Sequence, residues 1–323
     1  MTGFRSNGFT RQFELDWPIV QAPMGGVAGP ELAAAVANAG GLGMLPVWTM
    51  PPADGAEAIR VTRALTSGSF GVNVRADLVQ LDVIGAAIDA GASIVHLFWG
   101  DPTPCVPPIR AAGARMMVTV GDPEMARVAL DAGAQVLVAQ GVEAGGHVFG
   151  TTPLRALLDA VIPLAGEVPV LAAGGLTDAE DVADVMSRGA AGAVLGTRFV
   201  ATEESDAHAD YKRLLIEAGG GDVTVLSECF EIGWSGAPHR HLKNGTFSAW
   251  EAAGAPEPGQ RPGEGDIVLR AGGSEIPRYS VMPPQRGMSG DIADAVLYAG
   301  TGVGKIRDCP TAAEVLSRLT AGL

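Results

Sequence analysis

The chain has 323 residues, with 22 Lys and Arg against 36 Asp and Glu, a formal charge of −14. That balance argues against a nucleic-acid surface, which needs a basic stripe. Apolar residues make up 47% and charged residues 18%, ample for a large core and incompatible with a wholly disordered chain. Aromatics are only 5% while Gly numbers 45, so a core of Ala, Val, Leu and Ile with close backbone approaches is expected, as in parallel α/β folds.

Cys105, Cys229 and Cys309 are odd in number and form no CxxC pair, so neither a disulfide framework nor a zinc site is expected. The opening MTGFRSNGFTRQFELDW has no apolar h-region, and no unbroken apolar run of about 18 residues follows. The expectation is a cytoplasmic protein with no membrane span.

In chain order, an Ala-rich helical stretch repeatedly ends in a small-residue turn and enters a β-branched run: NAGGLGML (38–45), DAGASIVHLF (89–98), AAGARMMVTV (111–120), DAGAQVLVAQ (131–140) and SRGAAGAVLG (187–196). Glycine at a helix end adopts the left-handed cap, and the apolar run after it has the length of a buried parallel strand. Each junction reads as a helix-to-strand joint. Strands are predicted near 18–23, 41–45, 69–74, 93–98, 115–120, 134–140, 168–173 and 192–198. About eight βα units at this spacing predict a TIM (β/α)8 barrel, with an open doubly wound sheet as the alternative.

The rhythm stops near 203. Residues 205–218 read as helix and 219–290 as irregular, with GAPEPGQRPGEGD (254–266) as a surface loop. Residues 289–323 read as helix again, DIADAVLYAG followed by PTAAEVLSRL, with Pro310 in a first turn. The expected organisation is a barrel from 1–205 plus 289–323, and an inserted lid or substrate segment, 206–288, over the barrel mouth.

Barrel active sites form after the strands, at their C-terminal ends. There stand Pro23-Met24-Gly25-Gly26, Asn73, Gln140 to His147, Ala173-Gly174-Gly175 and Gly196-Thr197-Arg198. Glycine-rich turns after the last two strands let backbone N–H groups close on phosphate oxygens, so a phosphorylated cofactor is implied and a Cβ at Gly174 or Gly196 should hinder it more than the fold. No GxGxxG follows a strand, and GTGVGK (300–305) lacks the P-loop spacing. His147 sits in a glycine-rich loop where an imidazole can move a proton near neutrality. His96, His208, His239 and His241 are weaker candidates, with no metal-ligand spacing among them. Glu143 and Asp101 are the main strand-end acids, too few for a paired-carboxylate hydrolase. Lys212, Lys243 and Lys305 all lie beyond the eighth strand.

The blocks PIVQAPMGGVAGPELAAAVANAGGLGMLP, FGVNV, QGVEAGGHVFG, PVLAAGGLTDAEDV and GAVLGTRFVATEES, in order over 13–205, resemble the nitronate monooxygenase family, once called 2-nitropropane dioxygenases. FEIGWSGAPHR (230–240) and LYAGTGVGKIRD (297–308) resemble its C-terminal blocks, with Thr301 where the family usually has Gln. The resemblance implies an FMN-dependent TIM barrel that oxidises alkyl nitronates, or nitroalkanes, with O₂ to a carbonyl compound and nitrite. It implies flavin contacts at Met24, Gly25, Asn73 and Gln140. The phosphate region would lie at Gly145, Gly146, Ala173, Gly174, Gly175, Val194, Leu195, Gly196 and Thr197, and His147 would be the catalytic base and substrate contact. The alternative is an FMN-dependent NAD(P)H reductase of the enoyl-acyl-carrier or NADH:quinone type. Substrate identity is left to side chains such as Met24, Trp48, Phe98 and Trp99. The oligomeric state is left open, a homodimer being one outcome.

Overall fold

The computed structural model describes residues 6–220 and 222–323. Its first nine strands are β1 (Ile19–Gln21), β2 (Gly43–Pro46), β3 (Phe70–Arg75), β4 (Ile94–Phe98), β5 (Arg115–Val120), β6 (Val136–Gln140), the two-residue β7 (Gly146–His147), β8 (Val170–Ala173) and β9 (Gly192–Leu195). All except β7 form one parallel sheet in the order β1-β9-β8-β6-β5-β4-β3-β2, with helices between, which is the (β/α)8 barrel. The eight predicted strands are all present, with no end moved by more than three residues. Asn73 is therefore not terminal, because β3 runs on to Arg75, and β9 stops at Leu195, where Gly196 caps a short helix, Thr197–Val200. The joints turn on left-handed glycines, as at Gly91 (φ 98°) and Gly133 (φ 92°), a conformation that side chains with a Cβ disfavour.

The sheet closes between β1 and β2 through a short parallel bridge, Val20 to Leu42. Gln21 N donates to Leu42 O, and Leu42 N to Ile19 O, both at 2.9 Å. The fully buried Gln21 side chain extends this seam: its Oε1 accepts from Met44 N at 3.1 Å, and its Nε2 donates to Met44 O at 3.2 Å and to Ala22 O.

Inside the barrel, Val20, Leu42, Met44, Ile94, Met117, Val136, Val138, Leu171 and Val194 pack together. Phe9 and Phe13, from the helix Gly8–Phe13, join this cluster and plug the end opposite the mouth. Asn7 starts that helix with a reciprocal capping box to Thr10, a signature that satisfies orphan N–H groups.

Beyond the barrel the irregular reading of 219–290 is corrected. The helix Ala209–Glu217 is followed by β10 (Thr224–Ser227), β11 (His239–Leu242), the helix Gly245–Ala252, β12 (Ile267–Ala271), β13 (Ser274–Pro277) and β14 (Ser289–Gly290). β10, β11 and β7 form an antiparallel sheet, and β12 pairs with β13 and β14. Residues 254–266 carry neither helix nor strand, as expected. DIADAVLYAG is not a helix: only Ile292–Asp294 makes a 3₁₀ turn. The backbone after it pairs instead with β11, Leu242 N donating to Leu297 O at 2.9 Å and Ala299 N to Arg240 O at 3.2 Å. The tertiary partner overrides a helical pattern in so short a run. The final helix is Ala312–Leu319 with Thr311 as its cap, so Pro310 stands before the cap rather than in the first turn.

Gln21→Leu is expected to strand the Met44 N–H and C=O inside the seam. At about 1–3 kcal/mol for each buried unpaired group, urea unfolding should report a loss of several kcal/mol. A loss under about 0.5 kcal/mol would show that the side chain does not hold the seam.

Candidate active site

The strand ends and the segment above them enclose a cavity of about 670 Å³, within the range of cofactor and small-molecule sites. The fourteen residues expected to touch cofactor or substrate through the family resemblance all lie on its wall: Met24, Gly25, Asn73, Gln140, Gly145, Gly146, His147, Ala173, Gly174, Gly175, Val194, Leu195, Gly196 and Thr197. Asn73, His96, Thr119, Val138 and Gln140, from β3 to β6, contribute to the barrel side of the wall. Asn73 Nδ2 donates to His96 O at 3.0 Å, and His96 Nε2 lies 2.7 Å from Thr119 Oγ1. Gln140 is partly engaged by the protein itself: Oε1 accepts from Phe149 N and Nε2 donates to His147 O, both at 3.1 Å. It thereby fixes the loop that carries His147.

The glycine wall divides into two physical kinds. At Gly174 φ is 126°, a conformation that needs glycine whatever occupies the cavity; the expectation that Gly174 and Gly196 are equivalent is corrected on that ground. A Cβ at Gly145 would come within 2.5 Å of Gly300 N, so that glycine serves the approach of the 299–300 backbone. At Gly196, by contrast, a Cβ would meet nothing nearer than 3.7 Å. The fold does not require glycine there. Thr197 Oγ1 accepts from Gly300 N at 3.0 Å, tying this turn to the C-terminal segment.

His147 lies on β7, opposite His239 of β11 in the antiparallel register. Its ring stacks on Trp234 with centroids 3.9 Å apart and 22° between planes. Tyr298 and His239 lie at 5.7 and 5.4 Å. Its Nε2 is buried without a hydrogen-bond partner. Desolvation, then the neighbouring His239 and Arg75, holds the imidazole well below its ordinary pKa, so it is neutral at pH 7 and able to accept a proton.

Other candidates fall elsewhere. The Glu143 carboxylate accepts from Leu154 N at 2.9 Å, and Asp101 accepts from Thr103 N. Trp99 stacks on Phe149 outside the cavity lining. Thr301 is exposed and off the lining, whereas Gly300 and Gly302 are on it. His208 caps the helix Ala209–Glu217, accepting from Asp210 N at 3.1 Å. Trp234 and Tyr298 line the cavity and were not singled out from the sequence; Trp234 lies in the FEIGWSGAPHR block, the one signal that could have found it. Cys105, Cys229 and Cys309 are free thiols, and no group of metal-ligating side chains occurs among the described residues. No helix among those residues is long and apolar enough to cross a membrane.

Fold and cavity together define a (β/α)8 barrel with its site at the strand C-termini. The chain belongs to the nitronate monooxygenase family, whose sequence profile matches residues 7–322. It is 31% identical to a nitronate monooxygenase of Pseudomonas aeruginosa over 98% of both chains. It is also 36% identical to a (3aS,4S,5R,7aS)-5-hydroxy-7a-methyl-1-oxo-octahydro-1H-indene-4-carboxyl-CoA dehydrogenase of Rhodococcus jostii, over 73% of this chain but only 65% of that relative's length. Among solved structures, FabK from Thermotoga maritima superposes with a TM-score of 0.83 at 27% identity, over 98% of this chain and 95% of that one. Nitroalkane oxidase from Streptomyces ansochromogenes gives 0.74 at 31% identity, over 98% and 97%.

Three histidines, His96, His239 and His241, are buried in or beside the site, and His147 is partly buried on its wall. Burial pushes His96 and His239 down to about 4 and His241 to about 3, with His147 depressed as well. Because these folded values lie below the unfolded value of about 6.5, the stability they contribute is complete above pH 6.5. It is lost as pH falls from there toward the folded values. Each contributes a slope of about 1.4 kcal/mol per pH unit in that window. Urea midpoints should therefore drop between about pH 6.5 and 5, before most carboxylates titrate. A flat profile there would overturn the neutral assignments.

Proposed function

We propose that the protein binds FMN in this cavity and oxidises alkyl nitronates with O₂ to a carbonyl compound and nitrite. The observation that carries the reading is the placement of a neutral imidazole, His147, on the same wall as a glycine, Gly196, whose missing Cβ the fold does not need. An open approach at Gly196 suits a phosphate received by backbone N–H groups of the turns at Gly174–Gly175 and Gly196–Thr197. Residues Met24, Gly25, Asn73 and the free hydrogen-bonding capacity of Gln140 would hold the ring system and ribityl chain. Family membership and the relative from P. aeruginosa support the choice of substrate.

When bound, the flavin supplies the redox chemistry. The chain's own part is proton control and positioning. Neutral His147 can take the α proton from a nitroalkane or, once protonated, donate to nitronate oxygens. Gln140 holds the backbone of His147 in place, and Trp234 fixes its ring plane. The segment 206–288 acts in this reading as a lid that excludes water, its β11 pinned to β7.

Purified protein should be yellow and release FMN on denaturation; a colourless protein unchanged by added FMN would end the reading. Gly196→Val should weaken FMN binding by at least about tenfold by closing the phosphate approach, with the apo-protein urea midpoint nearly unchanged. Equal stability losses with unaltered affinity would assign Gly196 to packing.

His147→Asn should lower turnover of neutral nitroalkane by roughly 10² to 10⁴, the range for a positioned base, and affect pre-formed nitronate much less. Steady-state rates on both forms at matched pH and matched flavin content decide this. Equal losses would make His147 a positioning contact only. Anaerobic oxidation of NADH by the bound flavin, without nitronate turnover, would favour the reductase alternative.

A further inference from the structure

Trp234 stands in the loop between β10 and β11, in the segment folded over the mouth, yet its indole is boxed in by side chains of the barrel. Trp48, after β2, and Phe98 and Trp99, at the end of β4, meet it edge-on with centroids 5.5, 6.2 and 5.1 Å away. Both faces of the indole are covered. His147 stacks on one at 3.9 Å, and the Arg75 guanidinium carbon lies 3.4 Å from the ring centroid. Each is at van der Waals distance, which leaves no room for the two on one face. The indole is therefore layered between the imidazole and the guanidinium.

Arg75 is itself fixed. It ends β3, is only 6% exposed, and donates from Nε and Nη2 to Asp77 at 3.0 and 2.6 Å. That fork uses the edge of the guanidinium and leaves its flat face to the indole. A cation held out of water over tryptophan is the strong form of this contact. Arg75 lies behind the indole, off the cavity lining. β7 pairs with β11 over two residues only, too few to fix a ring plane unaided, and the stacked indole supplies the missing constraint.

We propose that Arg75 is a positioning residue: held by Asp77, it clamps Trp234 against His147, and so keeps the segment 206–288 seated on the barrel and the imidazole in its working plane. The second half rests on the role given to His147 above; the first rests on the geometry alone.

The test is hydrogen exchange of the full chain, read by mass spectrometry. Arg75→Met should speed exchange at 228–242 and 144–149 by at least about tenfold and leave β5 and β8 unchanged. Unaltered exchange at both segments would overturn the clamp, and faster exchange throughout the barrel would assign Arg75 to the fold instead. Arg75→Lys keeps a cation without the planar fork and should stay within about threefold of the parent; loosening equal to that of Arg75→Met would overturn the cation's part. In a Trp234→Leu background, Arg75→Met should add less than about twofold, and a full tenfold would overturn the route through the indole. Should Arg75→Met not fold, Asp77→Asn, which frees the fork without emptying its place, must loosen the same two segments by about threefold, and no change there sinks the proposal. On the flavin-loaded enzyme, Arg75→Met should lower kcat for neutral nitroethane by at least about tenfold with KM within about threefold. An unmoved kcat beside loosened segments would overturn the positioning of His147. If neither nitroethane nor its nitronate turns over in the parent, the nitronate reading fails alone, and exchange decides the clamp.

Discussion

The structure depends on a narrow closure. Seven strand pairs of the barrel are held by backbone ladders, but β1 has three residues and meets β2 through one bridge, reinforced by the Gln21 side chain. Two neighbouring stretches of the cavity wall start on either side of this seam: Met24 and Gly25 follow β1, and Trp48 to Met50 follow β2. A polar side chain with all its partners satisfied makes a specific joint where a hydrophobic contact would allow slip. The geometry of the cavity inherits that register.

The second dependence is between the barrel and the chain beyond it. β7 belongs to the loop after β6, yet its hydrogen-bond partner is β11, almost a hundred residues later. Gln140 holds the same loop from the barrel side. His147 is thus fixed from below by a barrel strand and from above by the post-barrel sheet, and Trp234 adds a packed face. Burial on this scale is what keeps the imidazole neutral.

Much of the barrel was legible because its signals are local. Each helix-to-strand joint announces itself by a glycine and a β-branched run, and five of the eight strands fall where those joints place them. That the fourteen candidate residues would line one cavity was legible too, since strand-end position and family resemblance pointed at the same loops. What escaped was set by distant partners. DIADAVLYAG has a helical composition but pairs with β11. β7 is too short to carry any periodicity. His239 and His241 fall in the stretch read as irregular, yet a sheet unseen in the sequence buries both. Trp234 belongs to the wall only because the chain folds back over the mouth. The different grounds for glycine at Gly174 and Gly196 needed a backbone angle and a neighbour distance, neither of which a sequence states.

The plug formed by Phe9 and Phe13 has a consequence for traffic. With that end sealed and Met44, Met117 and Leu171 packed above it, the barrel axis is a blind well, not a passage. Whatever the cavity receives and whatever it releases must share one doorway, between the strand ends and the segment folded over them. A departing molecule therefore has to clear the rim before the next can enter.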